Sequence, residues 1–185
     1  MPFPGGFRIF PLQNPQATCA GYSQTWLALS LMGGAPVLNP GLIGNQLLMT
    51  KVHATAKQPT VGSLDANGMA IVGSPVVLNN ALWKDAFWRL ARGGSGCYYY
   101  LTVKNPHHAM ACYLDRRNTV YYLEPEDGLS WFPSLVTFVA GAATWYEDRC
   151  GQPTNQEFKI YQVAPDGTQQ LPATKPRPII GSHRM

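Results

Sequence analysis

The stretch Cys19-Ala-Gly-Tyr-Ser-Gln-Thr-Trp-Leu-Ala-Leu-Ser-Leu-Met32 sets a thiol at the start of an apolar run. Ala20, Trp26, Leu27, Ala28, Leu29 and Leu31 supply helix formers and an apolar face, Thr18 stands where an N-cap belongs, and Gly33-Gly34 followed by Pro36 stops the run. A helix over 19–32 follows. A cysteine by itself is most often a small buried hydrophobe. At a helix N-terminus, however, the unpaired backbone N–H groups favour its thiolate, and an imidazolium brought beside it by folding favours it further. That pairing is how a chain makes a thiolate nucleophile.

The imidazole is supplied by the stretch His107-His108-Ala-Met-Ala-Cys-Tyr-Leu114. Residues 108–114 read as a strand, Asp115-Arg116-Arg117 as a turn, and Val120 to Leu123 as a second strand rich in β-branched and aromatic residues. With a three-residue loop, position 114 pairs with 118, and the same register sets His108 opposite Glu124, with Cβ atoms about 5 Å apart. Glu124 then orients His108 and stabilises its charged form, the task of the third member of a catalytic triad. Gln13, ahead of the thiol, brings a side-chain amide that can donate to the oxyanion developed in acyl transfer.

Thr18-Cys19-Ala20-Gly21-Tyr22-Ser23 with Trp26-Leu27, then His108-Ala109-Met110, then Leu123-Glu124-Pro125-Glu126-Asp127-Gly128-Leu129-Ser130-Trp131-Phe132, resembles the YopT-type cysteine proteases over about residues 13 to 140, in the order Cys, His, acid. The resemblance implies a papain-like fold, with Cys19 as nucleophile, His108 as general base and then acid, and Gln13 as oxyanion donor. It also implies kinship with bacterial effectors delivered into host cells. The chain departs from the family at the acid, where an Asp-Pro-Asn-type block is replaced by Glu124 in Glu-Pro-Glu-Asp-Gly. Asp127 is the alternative acid, although it falls past Pro125. His107 is the rival base, but on a strand it points to the face opposite His108; the resemblance selects His108.

The rest of the chain suits one enzyme domain. Its 185 residues can bury a substantial core, and 45% hydrophobic with only 13% charged residues describes a folded body, not a solvated chain. The net charge of +4 comes without a basic run, so nucleic acid is not an expected partner. No stretch reaches the roughly 18 consecutive apolar residues of a membrane span, and Met-Pro-Phe-Pro-Gly-Gly-Phe-Arg lacks the pattern of a secretory signal. Cys19, Cys97, Cys112 and Cys150 are widely spaced, without the Cys-x-x-Cys pairs of a zinc site, so no metal and no cofactor are expected. Cys112 shares a strand face with His108 and Met110 and reads as core; a reducing compartment suits a thiol nucleophile better than disulfides do.

Further helices are expected at 41–57, at 81–92 behind an Asn80 cap, and at 134–147. Strands are expected at 76–78, 97–103 and 157–163, with Trp131 on a turn after the acid block, where its ring can shield the His–acid bond or pack in the core. His53 reads as a helix-surface residue. Helices thus cluster early and strands late, an α+β architecture in which a helical lobe carrying the cysteine packs on an antiparallel β-sheet carrying His108 and the acid. The domain is expected to span 1–164, with a Pro-rich tail or linker over 165–185.

The function that follows is a thiol hydrolase cleaving a peptide bond in a protein of a target cell. The same triad serves a Gln/Asn deamidase or a transglutaminase-like toxin, and a non-catalytic binding module on the same scaffold is the alternative from another class. The resemblance implies release by a specialised secretion system without a classical signal peptide, action in the target-cell cytoplasm, and room for an inhibitory or delivery partner.

Overall fold

The computed structural model describes residues 3–12, 19–43, 64, 67–90, 93–104, 107–152 and 156–167. Among them the elements run β1 (Phe7–Pro11), α1 (Cys19–Gly33), α2 (Pro40–Ile43), β2 (Met69–Ile71), β3 (Val76–Asn79), α3 (Trp83–Leu90), β4 (Cys97–Val103), β5 (His108–Leu114), β6 (Val120–Glu124), β7 (Gly128–Phe132), α4 (Leu135–Cys150) and β8 (Glu157–Pro165). The strands form one eight-stranded sheet in the order β1-β7-β6-β5-β4-β8-β2, with β3 also on β8. All of its pairings are antiparallel.

The alternation of β5 sends its side chains to two cores. Met110, Cys112 and Leu114 meet Trp83 and Phe87 of α3 and Phe138 and Tyr146 of α4 on one face. Ala109 and Ala111 meet Trp26 and Leu27 of α1 on the other. Two alanines leave room for a helix backbone to come close, and Ser23 Oγ donates to the Ala109 carbonyl at 3.1 Å. This contact positions the N-terminus of α1 against the start of β5.

Helix α1 is enclosed nearly all round, with Ala20 through Ala28 buried. Its polar residues are therefore inside the protein, and they are bonded there as burial requires. Gln24 Nε2 donates to Tyr100 Oη at 3.3 Å and its Oε1 accepts from Asn67 at 2.8 Å. Ser30 Oγ accepts from the Val37 N–H at 3.1 Å, and Trp26 Nε1 donates to the Val37 carbonyl at 3.0 Å.

The α+β, papain-like expectation agrees with this fold, and the structure adds detail to it. The sheet is covered by helices on both faces, α1 on one and α3 with α4 on the other. Strands β1, β2 and β7 were not expected. The Trp131 expectation is corrected: the residue lies in β7, half-buried, and its ring packs on Phe7 at 5.5 Å, near the β1 edge. Asn80 does not cap α3. It has φ +54, in the left-handed region, and the helix starts at Trp83 behind Leu82, whose carbonyl accepts from Ala86.

Helix α4 has the cap that the sequence reading passed over. Ser134 Oγ accepts from Thr137 N at 3.1 Å, and Gly151, at φ +71, closes the far end onto the Glu147 carbonyl. Strand β8 runs on through Pro165, which pairs with Met69. Beyond Ile43 the expected 41–57 helix, with His53, lies outside the described residues, as do Thr18 and 168–185.

The hairpin that carries His108 closes differently from its expected form. Asp115 Oδ1 accepts from the N–H groups of Arg117 and Thr119 at 2.7 and 2.8 Å, and Asn118 takes φ +62, so the loop spans 115–119. Leu114 consequently pairs with Val120, not with Asn118. The register is displaced by two residues, and because side chains alternate with period two, His108 and Glu124 stay on one face. They meet diagonally instead of directly.

Candidate active site

Three elements converge at the start of β5. Helix α1 presents Cys19 from its first residue, β5 presents His108, and β6 presents Glu124 from its last. His108 Nε2 and Glu124 Oε1 are 2.7 Å apart, with 10% exposure left to the histidine side chain and none to the glutamate. The diagonal placement explains how the longer carboxylate fits here: glutamate spans an offset that separates Cβ atoms by about 7 Å.

On the other side the His108 ring hydrogen-bonds the Cys19 thiol, which also receives the backbone N–H groups of Ala20 and Ala109. With Nε2 engaged by Glu124, Nδ1 is the ring atom left for the sulfur. Burial pushes the Cys19 thiol up, but these hydrogen bonds and the His108 charge outweigh it and hold its pKa below the usual thiol value. Burial likewise disfavours charge on His108, yet the Glu124 carboxylate and the thiol lift it from 6.5 to about 10. The two shifts run in the same sense, each favouring the charged form of its group, thiolate on Cys19 and imidazolium on His108.

Glu124 is itself held firmly. Oε1 also accepts the Glu126 N–H at 3.1 Å, and Oε2 accepts the hydroxyl of Tyr146 from α4. Behind it, the Tyr122 and Tyr146 oxygens are 2.8 Å apart. Tyr146 escaped the sequence reading because nothing short-range marks it. Tyr122, two residues before Glu124, lies on the same face of β6.

The rival residues are placed differently from the triad. Asp127 pairs with Arg8 of β1, at the edge of the sheet. His107 is exposed, in the turn before β5. Gln13 lies outside the described residues. Replacing Asp127 with asparagine is expected to lower stability by about 1–3 kcal/mol, since it removes one partner of a largely buried ion pair. The pH profile of Cys19 alkylation is expected to be unchanged; a profile that moved would make Asp127 the acid.

A cleft of about 430 Å³ opens against His108, lined by Trp83, Trp145, Tyr146, Arg149, Glu126 and His107 among others. Arg149 lies 4.0 Å over the Trp145 ring and 3.9 Å from Glu126. Cys97, Cys112 and Cys150 are free thiols, and burial pushes Cys112 far up. Among the described residues no group of three His, Cys, Asp or Glu is arranged to hold a metal, and no helix is long and apolar enough to cross a membrane.

The fold is shared with proteins of pathogens. The avirulence protein AvrPphB of Pseudomonas superposes with a TM-score of 0.64 at 15% identity, over 86% of this chain and 96% of that one. PatoxP, a cysteine protease-like domain of the Photorhabdus asymbiotica toxin PaTox, superposes with a TM-score of 0.51 at 11% identity, over 81% of this chain and 49% of that one. No protein-family model and no curated protein matches the chain. These neighbours support the YopT-type resemblance at the level of fold, and the chain has the α+β, papain-like fold of cysteine protease-like effectors and toxins.

Proposed function

We propose that the chain is a papain-like cysteine peptidase of the YopT type, cleaving a peptide bond in a target protein with Cys19 as nucleophile, His108 as general base and acid, and Glu124 as the orienting carboxylate. What carries this is the unbroken chain of hydrogen bonds from a thiol at a helix N-terminus through an imidazole to a buried carboxylate. The thiolate attacks the amide carbonyl carbon. The oxyanion is met by the Cys19 backbone N–H and by the side-chain amide of Gln13, the donor that the family resemblance implies. His108 then gives its proton to the leaving amine, the thioester remains on Cys19, and water, deprotonated by His108, releases the acid. That an avirulence protein and a toxin domain share the fold supports an effector or toxin role. Such a protein reaches the cytoplasm of another cell by specialised secretion.

The test compares wild type with Cys19→Ala in a cell lysate, with new peptide termini and deamidated side chains both scored by mass spectrometry. New Cys19-dependent termini are expected. A gain of about one mass unit on Gln or Asn, or a new isopeptide bond, without cleavage would replace the peptidase by a deamidase or transglutaminase. An ordinary thiol with neither product would leave a binding module.

A further inference from the structure

We infer that Tyr146, backed by Tyr122, is the positioning residue that keeps the Glu124 carboxylate aimed at His108. The inference rests on the proposed triad and deepens it. Glu124 sits at the end of β6 with no exposure, diagonal to His108. A glutamate has one more rotatable bond than an aspartate, so the extra reach that closes the diagonal also brings freedom to turn away. Two groups remove that freedom: the Glu126 N–H fixes Oε1, and the Tyr146 hydroxyl fixes Oε2.

The proton count is consistent. A carboxylate that already accepts from His108 and from a backbone N–H can only accept at its other oxygen, so Tyr146 is the donor to Oε2. Tyr146 then has its oxygen free to accept, and Tyr122 donates to it across 2.8 Å. Both phenols are buried, and burial together with the Glu124 charge pushes them well above their ordinary values, so they stay neutral donors. Neutral donors stabilise the carboxylate without competing with the imidazolium for its charge. The other groups near it are Met110 of β5, whose sulfur is 2.9 Å from the Tyr146 hydroxyl, Cys112 of β5 near Tyr122, and Cys19 of α1 beyond His108. Helix α3 contributes aromatic contacts, Trp83 stacking on Tyr146 at 4.3 Å and Phe87 tilted against it at 5.8 Å. Asp127 and Arg149 are engaged by Arg8 and Glu126.

The experiment follows iodoacetamide alkylation of Cys19 against pH, read by intact mass and peptide mapping, in wild type, Tyr146→Phe, Tyr122→Phe and Tyr99→Phe. Without the phenol, the Glu124 carboxylate is free to turn away, His108 loses the counter-charge aimed at it, and the thiolate is lost earlier on acidification. The acid limb of the Tyr146→Phe profile is expected to move up by about one pH unit, the worth of one hydrogen bond to a charged group. Tyr122→Phe, which leaves the Tyr146–Glu124 bond in place, is expected to move it by about half as much. Tyr99→Phe deletes a part-buried hydroxyl on the same sheet face that bonds the Gly94 carbonyl instead, and is expected to leave the limb in place. Should Tyr146→Phe fail to fold, the Tyr122→Phe shift decides. Acid limbs superimposable on wild type in the folded tyrosine variants overturn the inference, as does an equal shift in Tyr99→Phe. A wild-type Cys19 that titrates as an ordinary thiol, unaffected by His108, overturns the triad itself.

Discussion

Replacing His108 with alanine is expected to slow alkylation of Cys19 at pH 7 at least about tenfold and to cut peptide-bond turnover on the order of 10⁴-fold or more. The two losses have different origins. The alkylation rate follows the thiolate population, and a thiol of ordinary pKa is only a few per cent ionised at pH 7. In this protein burial would push the thiol higher still once the imidazolium is gone, because burial is the largest influence on Cys19 and acts against its charge. Turnover loses in addition the proton that His108 hands to the leaving amine, which no neighbouring group replaces: Glu124 points at the far ring nitrogen, and His107 is exposed in the turn. An alkylation profile identical to wild type would sink the ion pair; the measurement is the pH-dependent rate in the two proteins side by side.

Glu124→Gln is expected to cost on the order of 10² to 10⁴ in turnover and to change how stability depends on pH. The amide keeps the shape of the side chain and an acceptor for Tyr146, but it removes the charge that lifts His108. Because the folded-state pKa of His108 is raised from 6.5 to about 10, its contribution to stability is complete below pH 6.5 and is lost as pH rises toward 10. Cys19 acts in the opposite sense: its lowered folded-state value makes its contribution complete above its unfolded pKa of 9.0 and lost as pH falls. The two slopes therefore oppose each other in the wild type below pH 9, where the His108 window, 6.5 to about 10, overlaps that of Cys19. Cys19→Ala should therefore expose the His108 slope, with urea midpoints that fall as pH rises above 6.5, and adding Glu124→Gln should flatten it. A Cys19→Ala protein whose midpoint does not change over that interval would mean that His108 carries no excess charge in the folded state.

Local pattern and local chemistry account for what the sequence made legible. Helix α1 begins at Cys19 as its composition requires, and β4 and β5 occupy the stretches 97–103 and 108–114 that alternation and β-branching marked. The His108–Glu124 pair was legible for a subtler reason. A three-residue loop and the longer Asp115 turn differ by a displacement of two, which preserves the face, so both registers bring Glu124 to the side of His108. Strands β1 and β7 were not legible, because they exist through each other. Gly128, at φ +122, comes so close to β1 that an added Cβ would lie 2.1 Å from the Phe10 carbonyl oxygen, a fact about tertiary approach that no window of sequence contains. Tyr146 was invisible for the same reason: its significance lies in facing a strand from a helix that follows it. The engagement of Asp127 likewise depends on Arg8 arriving at the sheet edge.

The thiol and its base belong to different layers, joined through the Ser23 contact with the Ala109 carbonyl and the small side chains that let α1 settle on β5. Apart from that docking, Cys19 is an ordinary cysteine at the head of a run that has no polar face with which to stand alone in water. On the proposed triad, the lowered pKa of the thiol is thus an attribute of the finished tertiary structure. In a chain still emerging from the ribosome, or drawn out through a narrow passage, that thiol has no imidazole beside it, and it gains one only when the helix comes to rest on the sheet.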